Sequence, residues 1–268
     1  MERRVALVTG RGRGIGRAHA LLLAERGARV VVCDVGSQLD GSGHDARVAD
    51  TVVDEIVAAG GTAVADHSDI STFAGAALPV ERAVSTFGRI DIVVNNAGIA
   101  GGGPVDTVSE DVLAKVFAVN FYGSIGTARA AWPHLRAQGW GRIVNTVSEV
   151  AFDSKMGSGS IGYGAAKAAV WSATIAMAAE GRPHGITVNA VSPGAFTRMN
   201  EAMFRDGRPA GLDLDPVHVA RVVAWLVGDD AGDVTGRIIH AAGGQHREYV
   251  TNRLRDTPLV ERLDRALS

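Results

Sequence analysis

The sequence predicts an α/β protein built on a doubly wound parallel sheet in a single domain. Three observations predict it. Short apolar runs such as Val5-Ala6-Leu7-Val8-Thr9 recur along the chain, and each is followed by a stretch of helical periodicity. The first run ends in Gly10-Arg11-Gly12-Arg13-Gly14-Ile15-Gly16, just where a helical pattern begins. The length of 268 residues and a hydrophobic content of 46% suit one α/β unit, because such sheets often pass ~200 residues without splitting.

The elements follow in order. The run at Val5 reads as a strand buried on both faces, and the helix after it carries Ala18, Leu22 and Leu23 on one side. Strand, glycine-rich turn and helix together form the context of a dinucleotide fingerprint. Glycine admits a pyrophosphate close to the backbone, and the helix N-terminus offers it free N–H groups. Arg29-Val30-Val31-Val32-Cys33-Asp34 is the second strand, and it places a carboxylate about 20 residues beyond the glycines, where a ribose is bound. An ordinary strand-end aspartate starting a turn is the alternative for Asp34. A long polar loop over 36–45 precedes a helix over 46–59, which Gly60-Gly61 stops.

Thr62–Asp66 is expected as the third strand, and Asp69 beyond it either contacts an adenine or caps its turn. Residues 90–94 form a fourth strand that ends in Asn95-Asn96-Ala97-Gly98, small residues and amides suited to packing against a cofactor. A long helical pattern over 109–138 contains Asn120. The fifth strand is Gly141–Thr146, with Ser148 just past it, and a Gly/Ser-rich loop over 153–162 leads into a helix reaching Glu180. Residues 186–191 are the sixth strand, after which Ser192-Pro193-Gly194 is expected to turn the chain out of the sheet. A helix over 215–227 and a last strand over 236–241 complete the unit. Residues 1–244 are thus one domain, with a lid or packed amphipathic helix over about 197–215. Residues 245–268 are a mostly helical extension whose Leu254, Leu259, Val260, Leu263 and Leu267 form an apolar stripe for docking.

Chemistry concentrates in Tyr163-Gly164-Ala165-Ala166-Lys167. Residues four apart share a helix face, and an ammonium beside a phenol favours the phenolate. Such a hydroxyl exchanges a proton with an alcohol or carbonyl near neutral pH. The chain has three tyrosines, and of its 27 basic residues only Lys115, Lys155 and Lys167 are lysines. A lysine one turn from a tyrosine in so arginine-rich a chain calls for a chemical explanation.

Taken together, Thr9-Gly10, Gly14, Gly16, Asn95-Asn96-Ala97-Gly98, Asn120, Ser148, Tyr163, Lys167 and Pro193-Gly194 resemble the motifs of the short-chain dehydrogenase/reductase family, over residues 3–244. The resemblance implies a Rossmann-type seven-stranded parallel sheet, a nicotinamide cofactor and a homotetramer. It implies that Tyr163 is the general acid/base and that Lys167 holds the nicotinamide ribose and lowers the tyrosine pKa. Ser148 would orient the substrate oxygen and Asn120 would bind a water of the proton relay. It also implies cofactor contacts from Gly10, Arg13, Gly14, Ile15, Gly16 and Asp34, from Asp69, Ile70, Asn96, Ala97 and Gly98, and from Pro193, Gly194 and Thr197. Asp34 repels a 2′-phosphate and favours NAD over NADP, whereas Arg13 pulls the other way.

Within the family the chain is most similar to the (3R)-hydroxyacyl-CoA dehydrogenase domains of multifunctional β-oxidation enzymes, through the 34–45 loop, Ala130-Ala131-Trp132 and Ala179-Glu180-Gly181-Arg182. It departs from the family pattern at two points: Ser148 and Tyr163 are about two residues further apart than usual, and Thr197 comes one place early. The expected substrate is a secondary alcohol or ketone with an apolar body, such as a 3-hydroxyacyl thioester or a hydroxysteroid. A non-catalytic NAD-binding redox sensor and a nucleotide-sugar epimerase or dehydratase are the competing readings.

The bulk numbers exclude other classes. A net charge of −2 gives no reason to expect nucleic acid or an anionic membrane as partner. No apolar run approaches the ~20 residues of a membrane span. The single Cys33 fits a reducing compartment, and a strand so near Met1 leaves no room for a leader, so the expectation is a cytoplasmic protein. The eight histidines show no metal-ligand spacing, so no metal is expected.

Overall fold

The computed structural model describes residues 1–10, 14–197, 199–201 and 213–250. Its single sheet contains β1 (Val5–Thr9), β2 (Arg29–Cys33), β3 (Thr62–Asp66), β4 (Ile92–Asn95), β5 (Gly141–Thr146), β6 (Ile186–Gly194), β7 (Ile238–Ala242) and β8 (Gln245–Glu248). The order across it is β3-β2-β1-β4-β5-β6-β7-β8. The first seven strands pair in parallel, as expected, and β8 pairs antiparallel with β7. The helices are α1 (Gly14–Glu25), α2 (Arg47–Ala58), α3 (Phe73–Phe87), α4 (Glu110–Phe117), α5 (Gly123–Gln138), α6 (Ser154–Gly157), α7 (Ile161–Gly181) and α8 (Val217–Leu226).

Strand periodicity explains the two-sided winding. Along β1, Ala6 and Val8 point to one face and Val5 and Leu7 to the other, all fully buried. The first face packs against Leu23 of α1, Val52 and Ile56 of α2 and Val223 and Leu226 of α8. The second packs against Val80 of α3, Leu135 of α5 and Ala178 of α7. Chain order reverses between β1 and β4, so a crevice opens at the C-terminal ends of those strands.

Four expectations are corrected. Ser192, Pro193 and Gly194 do not leave the sheet; they continue β6 and pair with His240, Ala241 and Ala242. The registered pairing of β6 with β5 ends at Val191, so the missing N–H of Pro193 lies where no β5 residue is opposite it. Gln245–Glu248 is strand rather than helix, and it extends the sheet to eight strands. The 109–138 helix is interrupted by a π-helical turn, Ala118–Tyr122. The loop before α7 contains the short α6. Arg13, most of the expected lid and the apolar stripe after residue 250 lie outside the described residues.

A buried polar chain fixes the helices that flank the crevice. Thr127 of α5 donates to Asn95 Oδ1 (2.6 Å), Asn95 donates to Asn145 Oδ1 (2.9 Å), and Asn145 donates to Thr174 Oγ1 of α7 (2.9 Å). Each member is satisfied, which is what makes such a network rigid rather than costly.

Candidate active site

The crevice is a cleft of about 1040 Å³ running from the end of β2 to the start of α7. Its floor at one end is the glycine turn. Gly10 has φ +68°, and a Cβ there would lie 2.4 Å from Ala97 Cα. Only glycine allows the two loops to touch. Thr9 seals the contact: its Oγ1 accepts from Ala97 N (3.1 Å), and its carbonyl accepts from Asn96 Nδ2 (3.2 Å). The sequence offers Thr9 as a strand residue and as the first member of the glycine motif, and its side-chain role emerges from the parallel pairing of β1 and β4.

Gly14, Ile15 and Gly16 open α1 on the cleft wall, and Thr197 faces Gly14 from the opposite side, 3.3 Å from where a Cβ of Gly14 would be. Asp34 follows β2 and also lines the cleft. Its Oδ1 accepts from Gly36 N (2.7 Å), which fixes the carboxylate against its own loop. Asp69 and Ile70 line the same end, with Asp69 Oδ1 accepting from Ser71 N (2.9 Å), so this residue both caps its turn and faces the cleft. Asn96, Ala97, Gly98 and Pro193 complete the set, while Gly194 is not on the wall. The helix N-terminus, the glycines and the carboxylate at the adjacent strand end fit an adenine dinucleotide.

Ser148, Tyr163 and Lys167 come together at the other end. Ser148 caps a 3-10 turn, Glu149–Ala151, and its side chain hydrogen-bonds the half-buried Tyr163 hydroxyl. Burial pushes the Tyr163 pKa above its ordinary value, and the Ser148 hydrogen bond opposes that rise. Lys167 is 2% exposed, donates to the Thr146 carbonyl (2.8 Å), and has its pKa brought down to about 8 by burial. Its Nζ lies 5.7 Å from the Tyr163 ring centroid. The ammonium is thus held by a backbone carbonyl on the Tyr163 side of the cleft, and the hydrogen bond with Ser148 is the contact that acts to lower the tyrosine pKa.

Asn120 stands apart from those three. It is fully buried in the π-helical turn and is not on the cleft wall. Its Oδ1 accepts from Ile99 N (2.8 Å) and its Nδ2 donates to Ile99 O (3.0 Å). The side chain thus ties the helix to the loop after β4, with Gly98 between Asn120 and Lys167. A π-turn at such a point is a recurrent feature of functional sites.

Two further parts complete the wall. The 36–45 loop reaches across the cleft mouth, where Leu39 O accepts from Ala100 N (2.9 Å). Val150, Met156, Phe196 and Met199 give the cleft an apolar rim. Among the described lining residues Lys167 is the one cation, and its ammonium donates to Thr146. The described residues hold no cluster of three or more metal-ligating side chains, and none of their helices is long and apolar enough to cross a membrane.

Comparison with known proteins follows the same outline. A family model described as short chain dehydrogenase matches residues 4–207. The peroxisomal hydratase-dehydrogenase-epimerase of Saccharomyces cerevisiae is 41% identical over 243 residues, covering 90% of this chain and 26% of that protein. The chain therefore spans about a quarter of that relative's length. A putative short-chain type dehydrogenase/reductase of Mycobacterium tuberculosis is 39% identical over 245 residues, 91% of this chain and 83% of the relative. The crystal structure of a short chain dehydrogenase from Mycobacterium avium superposes with a TM-score of 0.81 at 40% identity, covering 99% of this chain and 94% of that one.

Proposed function

Because the chain belongs to the short-chain dehydrogenase family, and so is an oxidoreductase of hydroxyl and keto groups, we propose that it moves a hydride between NAD and a secondary alcohol or ketone with an apolar body. One observation carries the reading. The Ser148–Tyr163 hydroxyl pair faces the same cleft as the glycine turn and Asp34.

A bound nicotinamide would supply or accept the hydride. The chain's own residues do the rest. Tyr163 gives its proton to the carbonyl oxygen in reduction and takes it back in oxidation. Ser148 Oγ–H donates to that oxygen as charge develops on it. Lys167, anchored to Thr146, would donate from its ammonium to a ribose hydroxyl of the bound cofactor. Asn120 acts by holding Ile99 and the backbone around Gly98 in place.

Asp34 supports NAD as the cofactor, since a carboxylate that binds a 2′-hydroxyl repels a 2′-phosphate. Val150, Met156, Phe196 and Met199 support an apolar substrate body. A hydroxysteroid or a 3-hydroxyacyl thioester fits that rim, with any phosphates of a thioester carrier outside the described wall. We further propose a homotetramer, on the family resemblance, and a cytoplasmic location, on the lone Cys33. Light scattering and cell fractionation test these two.

The deciding experiment incubates the protein with NAD and a panel of secondary alcohols, hydroxysteroids and 3-hydroxyacyl thioesters, and follows absorbance of the reduced nicotinamide. Turnover of at least one apolar secondary alcohol is expected. Turnover confined to small, highly charged hydroxy acids would overturn the substrate reading.

A further inference from the structure

The strand β8 is made of four exposed polar residues, and nothing in their own chemistry accounts for their place on the sheet. The residue that follows does. Tyr249 donates its N–H to Ile238 O (3.0 Å) and turns its ring inward, off the otherwise exposed edge. Its hydroxyl donates to Glu149 Oε1 (2.5 Å), and Glu149 is the residue immediately after Ser148. The same carboxylate oxygen lies 3.2 Å from His240 Nδ1 of β7.

A ring cluster surrounds that contact. Tyr249 meets Phe152 edge-on at 4.8 Å between centroids and Trp171 at 5.3 Å, and Phe152 meets Trp171 at 4.8 Å. Edge-to-face pairs of this kind are individually weak and together fix orientation. The three rings come from three different places. Phe152 closes the turn that Ser148 caps, Trp171 is two helical turns beyond Tyr163 on α7, and Tyr249 ends the hairpin of β7 and β8. The turn is already pressed on α7 beside Tyr163, since a Cβ on Gly164 would meet Val150 O at 3.0 Å.

We propose that Tyr249 and Glu149 form a clasp that positions the Ser148 turn against the Tyr163 helix, so that Tyr249 is a positioning residue for the Ser148–Tyr163 pair. The clasp rests on the functional reading above, and it adds a role for a residue outside the cleft. Glu149, His240 and Ser192 face the Tyr249 hydroxyl, with Asp153 nearby, and burial followed by Glu149 holds the phenol far above its ordinary pKa. Tyr249 therefore stays a hydrogen-bond donor at any pH at which the enzyme works. The contact is a fixed strut and not a switch. Small displacements at reacting groups are costly, about a hundredfold in rate for ~1 Å, so a loosened turn registers in catalysis before it registers in binding.

Three tyrosines make the test direct. The full chain is labelled with 3-fluorotyrosine, which gives one fluorine signal each from Tyr122, Tyr163 and Tyr249. Tyr249→Phe keeps the ring in the cluster and removes the hydroxyl; Glu149→Ala removes the acceptor, and Glu149→Gln restores one. In Tyr249→Phe and Glu149→Ala the Tyr163 signal should shift while that of Tyr122 stays. With an accepted ketone, kcat should fall about tenfold and the cofactor KM should change by less than about twofold. Glu149→Gln should recover most of both. A lowered Tm with unmoved Tyr163 signal and kcat would reduce the clasp to a fold-stabilising contact and overturn the proposal. If the unmutated chain turns over nothing on the panel, the dehydrogenase reading fails, and the fluorine shift alone still decides for or against the clasp.

Discussion

Lys167 is the most buried charge-bearing group of the site, and its burial sets a measurable pH signature. Burial lowers its pKa from 10.5 to about 8. At about 1.4 kcal/mol per pH unit, keeping the ammonium charged inside the fold costs about 3 kcal/mol near pH 7. The sign follows from proton counts. Between about pH 8 and 10.5 the unfolded chain binds the lysine proton more fully than the folded one, so folding stability rises with pH through that window. Lys167→Met fills similar space without the charge and lacks this dependence. It also loses the hydrogen bond to Thr146, but that loss shifts both ends of the comparison alike. Urea unfolding of both proteins near pH 7 and near pH 9.5 should therefore show the wild-type chain gaining about 2 kcal/mol on the variant between the two. The other titrating groups cancel in the difference. A flat difference, or one that moves in favour of the variant, would refute the reasoning and mean that Lys167 is solvated in the folded protein.

Four further outcomes are expected. Tyr163→Phe should keep cofactor binding, measured by nicotinamide fluorescence, and lose ~10²–10⁴ in kcat; more than about a tenth of wild-type turnover would exclude a general acid/base role. Because the Tyr163 pKa is raised, ketone reduction by the intact enzyme should hold steady through neutral pH while alcohol oxidation climbs into the alkaline range, and an acidic optimum for oxidation would contradict a buried phenol. Asp34→Ser should narrow the NAD-to-NADP ratio of kcat/KM by about tenfold or more, part of the ~4 kcal/mol between unit charges ~4 Å apart at an effective dielectric near ~20; an unchanged ratio would shift the discrimination to Arg13. Gly98→Ala puts a methyl 3.1 Å from Asn120 Oδ1 and 3.5 Å from Lys167 Nζ, and thermal unfolding should show a loss of about 1–3 kcal/mol, together with weakened cofactor affinity.

What the sequence displayed well is what depends on local periodicity or on a residue's place at the end of an element. The parallel strands announce themselves through β-branched runs buried on both faces, and the cleft-lining residues through their positions after those runs. The strand β8 lacks both signals. Gln245, His246, Arg247 and Glu248 are all exposed, so no alternation marks them, and their pairing comes from the Gly243-Gly244 turn and from backbone bonds to β7. Pro193 misleads for the opposite reason. Proline reads as a breaker, yet at the ragged end of β6 its missing N–H faces no β5 partner.

Protonation was the part least open to sequence reasoning. A four-residue spacing does put Tyr163 and Lys167 on one face of α7, but a shared face fixes only where side chains begin. Where the ammonium ends is decided by the carbonyl of Thr146, which belongs to a strand brought alongside by the sheet. The tyrosine's hydrogen-bond partner, Ser148, is likewise set by a turn whose shape depends on Glu149 and Phe152 and, through them, on Tyr249 some hundred residues later. A motif can thus name the proposed proton donor while the balance of burial and hydrogen bonding that sets its pKa lives in tertiary contacts. For this site the residues that set the surroundings of the hydroxyl pair are therefore more widely spread along the chain than the motif residues themselves.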